Sequence, residues 1–96
     1  MSLLPSSRSA NLRWFYSRTR RDGACLIWTG PTSGQGKYPA FYPRGASRGG
    51  MVYGHRWIYE QKRGPIPRGM VVMHRCDRPR CVSLRHLRLG THSDNH

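Results

Sequence analysis

Near its C-terminal end the chain reads MHRCDRPRCVSLRHL, two histidines and two cysteines within the fifteen residues from Met73 to Leu87. Cys76, Cys81 and His86 follow one another with four residues between each, C-x4-C-x4-H. That spacing lets three metal-type ligands converge from one loop and leaves a fourth position to be filled from elsewhere. It is not the spacing of a C2H2 finger, whose ligand pairs bracket a long linker. The chain has three cysteines, and an odd number cannot all pair inside one monomer. Cys25, at the head of the apolar run CLIWTG, is the obvious fourth ligand. Three thiolates and one imidazole complete a tetrahedral zinc site, which would tie the N-terminal half to this loop and add folding free energy. The neighbouring arginines are expected to lower the thiol pKa values and help the thiolates form.

Such a staple answers a need set by size. Ninety-six residues make one small domain, and only 36% of them are hydrophobic. Short chains bury a modest share of their surface, so a metal or a partner adds stability that the core lacks. Three Trp, five Tyr and two Phe nevertheless argue for a folded chain, because disordered segments are poor in aromatics. Seventeen basic residues against four acidic ones leave a net charge of +13, nearly all of it arginine; the only lysines are Lys37 and Lys62. A field of that sign and size points to nucleic acid before an acidic membrane. No apolar run approaches the roughly 20 residues that span a bilayer, and the MSLLP start is too brief for a secretion signal.

Local patterns outline an α+β domain. The stretch RSANLRWFYSRTRR (8–21) predicts an amphipathic helix on Leu12, Phe15 and Tyr16, with Arg18, Arg20 and Arg21 turned to solvent or a phosphate backbone. We take residues 1–22 as a basic N-terminal arm or helix and residues 23–96 as the metal-binding domain. CLIWTG (25–30) predicts a strand. YPAFYP (38–43) predicts a second one that Pro39 limits to an edge or irregular position, and MVYG (51–54) a third. HRWIYEQKRG, from His55, predicts a helix that Gly64 and Pro65 stop. MVVMH (70–74) is the clearest strand, RLG (88–90) a short return strand, and THSDNH the start of a helix with Thr91 or Ser93 as N-cap.

A zinc with four ligands leaves His74 over. In an extended stretch residues i and i+2 point the same way, so His74 has a route to the metal as well. Its other reading is a general base: crowded arginines depress a histidine's pKa and keep the imidazole neutral. Phosphodiester hydrolysis needs such a base to activate water, plus a divalent ion. The nearby downstream oxygen ligands are Asp94 and Asn95.

With these residues in place, VVMHRCDRPRCVSLRHLRLGTHSDN resembles the active-site motif of the His-Me finger (HNH-type, ββα-metal) nucleases, above all the His–Cys box homing endonucleases and small phage HNH endonucleases. The likeness extends upstream through CLIWTG, KYPAF, GHRWIYE and GPIPRGMVVMH, about residues 23–95. It implies a small zinc-stapled α+β domain whose strands 71–74 and 88–90, with the helix from Thr91, form the ββα-metal unit. His74 is then the general base and Asn95 a ligand of a catalytic Mg²⁺-type ion. Cys76, Cys81 and His86 are structural zinc ligands, and Cys25 matches the upstream cysteine. This sequence departs from the pattern at VSLR (82–85), where such proteins often carry Asn then Pro.

The resemblance implies metal-dependent hydrolysis of double-stranded DNA, leaving 5′-phosphate and 3′-hydroxyl ends. A monomer with one active site nicks, whereas a homodimer can break both strands. Arg18, Arg20, Arg21, Lys37, Arg75, Arg78 and Arg80 are the basic side chains expected to meet DNA. Arg56 either clamps the phosphate or stays on the solvated face of its helix. The setting expected is the cytoplasm of a bacterial host for a phage or mobile-element protein, or the nucleus in a eukaryote. Two other classes stand beside this one: a non-catalytic zinc module that binds nucleic acid, and a structural part of a nucleoprotein assembly. His55 and His92 are read as surface or capping residues, and Trp14, Trp28 and Trp57 as core.

Overall fold

The computed structural model describes residues 7–33, 36–43 and 50–91. Helix α1 (Ser7–Ser17) is followed by strands β1 (Thr19–Asp22), β2 (Cys25–Trp28), β3 (Thr32–Ser33), β4 (Tyr38–Phe41) and β5 (Val52–Tyr53). Helix α2 (Gly54–Arg63) comes next, then β6 (Met70–His74), a 3₁₀ turn (Leu84–His86) and β7 (Leu87–Thr91). Three small antiparallel sheets result: the β1–β2 hairpin, a sheet in the order β3–β4–β5, and the β6–β7 pair. Both helices and five of the seven strands among the described residues lie where the residue patterns predict elements; β1 falls in the predicted helix and β3 in a stretch whose Pro, Ser and Gly read as a turn.

Helix α1 ends four residues earlier than the pattern predicts. Ser17 Oγ donates to the carbonyl of Trp14 at 2.6 Å and Thr19 Oγ1 to that of Tyr16 at 2.7 Å. These hydroxyls satisfy carbonyls that a longer helix would have bonded internally. Thr19, Arg20 and Arg21 instead pair with Trp28, Ile27 and Leu26, and a two-residue turn with Gly23 at φ 63° closes the hairpin. The arginine run therefore sits on a strand, which the helical periodicity of the preceding residues concealed.

Pro39 stands in the middle strand of its sheet, not at an edge. Along an antiparallel strand successive residues turn their backbone groups to opposite sides. Ala40 donates its N–H to the carbonyl of Pro31, on the β3 side. The N–H that Pro39 lacks would face the β5 side, opposite Gly54, where the chain has already entered α2. The ladder asks for no donor there, so a proline is tolerated.

The core is largely aromatic. Phe15, Trp28, Phe41, Trp57, Ile58, Val72, Val82 and Leu87 form one buried cluster, with Trp14 partly buried against it. Phe15 meets Trp28 at 4.7 Å and Trp57 at 5.3 Å between ring centroids, and Phe41 meets Trp57 edge-on at 5.2 Å. Helix α1 thus enters the core through Phe15, and α2 through Trp57 and Ile58. Large rings suit a short chain because each buries much area for few rotatable bonds.

Gly54 lets α2 approach β4. A Cβ at this position would lie 2.6 Å from Cβ of Pro39 and 3.4 Å from Cε2 of Phe15. Pro39 is rigid and fully buried, so it cannot give way. Gly54→Ala is therefore expected to destabilise the protein by about 1–3 kcal/mol through overpacking, despite alanine's better helix propensity. A thermal melt checks this; a higher midpoint for the variant would show that the contact relaxes.

Candidate metal centre and catalytic pocket

Four ligand-type side chains converge below the β6–β7 pair. The ligand atoms of Cys25, Cys76, Cys81 and His86 all lie within 4.8 Å of one another. Nδ1 of His86 is 3.5 Å from Sγ of Cys25 and 3.4 Å from Sγ of Cys81. A tetrahedral zinc with Zn–S near 2.3 Å and Zn–N near 2.0–2.1 Å separates sulfur from nitrogen by about 3.5 Å. The donor set and its spacing fit zinc.

Backbone geometry explains the convergence. Asp77 adopts φ 58°, a left-handed conformation that aspartate tolerates better than most residues. Together with the bond from Cys81 N–H to the Arg78 carbonyl (3.0 Å), it folds Cys81 back towards Cys76. The 3₁₀ turn then aims His86 at the sulfurs, and Arg75 N–H donates to the His86 carbonyl at 2.6 Å. Cys25 arrives on β2. An Ile27–Cys81 bridge, with bonds from Trp28 N–H to the Arg80 carbonyl and from Val82 N–H to the Leu26 carbonyl, joins the two halves.

Arg78 reaches the Cys25 sulfur by a hydrogen bond, but no arginine acts on Cys81. Burial pushes the Cys81 thiol up to about 12. A thiol so reluctant to ionise gives up its proton only to a stronger positive charge close by, and a coordinated cation supplies one. Arg78 is engaged with Asp22 at 2.8 Å, and its guanidinium holds that carboxyl below its ordinary range through a hydrogen bond and charge. Arg80 donates twice to the Gly36 carbonyl, at 3.0 and 2.6 Å.

Arg20, Lys37, Arg78 and Arg80 nevertheless line one groove of about 470 Å³ beside the cluster, with Asp77 the acidic residue among its walls. Arg18, Arg20, Arg21 and Arg75 are exposed. Arg18 lies over the ring of Trp14, 5.5 Å from its centroid.

His74 ends β6 two residues before Cys76 and is not one of the four clustered ligands. Burial holds its pKa below the ordinary histidine value; no arginine contributes. A hydrogen bond to the backbone of Cys81 acts upward, as only donation to the carbonyl does. Nε2 is enclosed and without a partner among the described residues, so Nδ1 is the donor. This bond fixes the tautomer and leaves the Nε2 lone pair free.

His74 lines a cavity of about 260 Å³ with Tyr38, Tyr53, His55, Arg56, Val71, Val72 and Met73. Arg56 therefore lies in the same pocket as His74, not on a purely solvated helix face. His55 departs furthest from its sequence reading. It is buried at 8% exposure and packs ring against ring with His74, centroids 5.0 Å apart. The signal was its spacing: His55 and Ile58 are three residues apart, which puts both on the buried face of α2. Asn95, His92, Asp94 and the helix expected after Thr91 lie outside the described residues.

Residues 52–96 match the HNH endonuclease family. The matched segment runs from β5 through α2, the β6–β7 pair and the cluster loop. The chain is 48% identical over 71 residues to "Protein 7.7" of Escherichia phage T7, covering 74% of this chain and 51% of that one. It is 46% identical over 33 residues to the "Uncharacterized gene 5.3 protein" of Enterobacteria phage T3, covering 34% and 33%. The chain thus spans about half the length of the T7 relative and a third of the T3 one. No solved structure matches. The family match over residues 52–96 is to nucleases, and the first of these relatives is a phage protein. Among the described residues no helix is long and apolar enough to cross a membrane.

Proposed function

We propose that this protein is a metal-dependent endonuclease that hydrolyses phosphodiester bonds of double-stranded DNA, leaving 5′-phosphate and 3′-hydroxyl ends. The observation that carries the reading is the state of His74. One ring nitrogen is tied to the Cys81 backbone, and the other is partnerless in a pocket shared with Arg56. Nε2 of His74 takes a proton from the attacking water. Arg56 holds the scissile phosphate, for which a guanidinium offers paired donors. Asn95 serves as a ligand of a Mg²⁺-type ion. That ion, when bound, supplies the charge that stabilises the phosphate and the departing 3′ oxygen.

Cys25, Cys76, Cys81 and His86 hold zinc in a structural role, keeping the end of β6 rigid so that His74 is aimed. The groove of Arg20, Lys37, Arg78 and Arg80, with exposed Arg18, Arg21 and Arg75, follows the DNA backbone. Contacts of this kind are non-specific and weaken steeply with salt. Similarity to a phage protein supports action in the cytoplasm of an infected bacterium. One active site per chain nicks DNA, and a homodimer would cut both strands.

Incubating the protein with supercoiled plasmid and Mg²⁺ is expected to convert it to the nicked form, and a chelator to stop the reaction. DNA binding without conversion by Mg²⁺ or Mn²⁺ would establish a non-catalytic zinc module instead.

A further inference from the structure

His55 and His74 each carry a buried nitrogen that the fold leaves unsatisfied. Nδ1 of His55 and Nε2 of His74 are both enclosed and lack a hydrogen-bond partner among the described residues, so they do not bond to one another. The rings lie 5.0 Å apart between centroids, inclined at 44°, and line the same cavity. His55 cannot easily turn away. It is 8% exposed and flanked by Tyr38 and Tyr53, with ring centroids at 5.6 and 6.1 Å. Buried polar atoms in native folds nearly always have partners, and each exception calls for an explanation.

We propose that His55 and His74 form a second metal site, separate from the Cys25–Cys76–Cys81–His86 cluster, for a transition ion of the zinc, cobalt or nickel class. One ion satisfies both lone pairs at once. Two imidazole nitrogens about 2.0–2.1 Å from a shared ion place their ring centroids on the order of 5 Å apart, as they are here. Burial favours the neutral, ligating form of a ring such as His55. Among the described residues lining the cavity there is no carboxylate. A nitrogen-only set of this kind selects borderline-soft ions over Mg²⁺ and Ca²⁺, which prefer oxygen.

The site has a functional consequence that rests on the nuclease reading. An ion bound here occupies the same His74 nitrogen that acts as base, so it inhibits cleavage where Mg²⁺ supports it. The binding site itself does not depend on that reading, and its test needs no cleavage.

The test is equilibrium dialysis of the zinc-loaded protein against Co²⁺, with metal analysis and visible absorption. The wild type is expected to keep one zinc and take up one cobalt, with a d–d band but no thiolate charge-transfer band. His55→Phe keeps a ring in place and removes the nitrogen. It is expected to weaken cobalt binding by more than about tenfold, the scale set by metal-supporting partners alone, while one zinc stays bound. His74→Ala is expected to do the same, and serves if the first variant folds poorly. Cobalt taken up only with a thiolate band, no second ion in the wild type, or full cobalt affinity in His55→Phe would overturn the proposal. Loss of plasmid nicking with cobalt binding intact would count against the nuclease reading alone.

Discussion

Removing the metal from the Cys25–Cys76–Cys81–His86 cluster is expected to unfold the domain, not merely to silence it. Structural zinc sites in small domains contribute apparent binding free energies of about 10–16 kcal/mol near neutral pH. That matches or exceeds the ~5–15 kcal/mol by which whole domains are stable. Here the ligands span the chain from Cys25 to His86, so the ion closes a long loop and joins the β1–β2 hairpin to the β6–β7 pair. Without it, three free thiols are left in the interior, two of them buried, and an odd number cannot all be paired as disulfides. Far-UV circular dichroism during titration with a tight zinc chelator is expected to show cooperative loss of structure. Cys81→Ala, which also opens a fully buried position, is expected to purify without stoichiometric zinc and to melt far below the wild type. An unchanged melt in protein shown to be metal-free would refute the staple.

His74→Ala is expected to lower the rate of Mg²⁺-dependent plasmid nicking by about 10²–10⁴-fold, the range that a positioned general base contributes. DNA affinity and the zinc held by the four-ligand cluster should not change. His74 lies outside the zinc ligands and the basic groove, and its backbone pairing with Leu87 does not involve the side chain. The substitution removes one half-buried ring that has no packing role in the main aromatic core. The measurement is a single-turnover nicking rate beside a mobility-shift titration and zinc analysis. Cleavage at the wild-type rate would remove His74 from the mechanism. Loss of the cluster zinc or of DNA binding together with activity would instead show a structural role.

Features written in local chemistry were legible beforehand. The β-branched run at 70–74, Gly64 after the α2 pattern and the C-x4-C-x4-H spacing each carry their own geometric reason, and the structure places β6, the end of α2 and three ligands there. Cys25 followed from arithmetic: one sulfur was missing, and only one other cysteine existed. The misreadings were at places where neighbours decide. Thr19–Asp22 continue a helical pattern, but hairpin pairing with β2 outweighs their helix propensity. Pro39 looks like an edge residue until α2 is seen to begin at the point where its missing donor would be needed.

By itself the sequence determined the donor set, the basic surface charge and the strand that ends in His74, because these depend on residue type and short spacing. Only the tertiary structure decided which charges are free: Arg78 is paired with Asp22 and Arg80 with the Gly36 carbonyl, across 56 and 44 positions of chain. It also decided that burial, not arginine, keeps His74 from protonating easily, and that His55 belongs beside it. Desolvation and ring contact are properties of a packed interior. They exist only once elements distant in sequence have closed around a side chain.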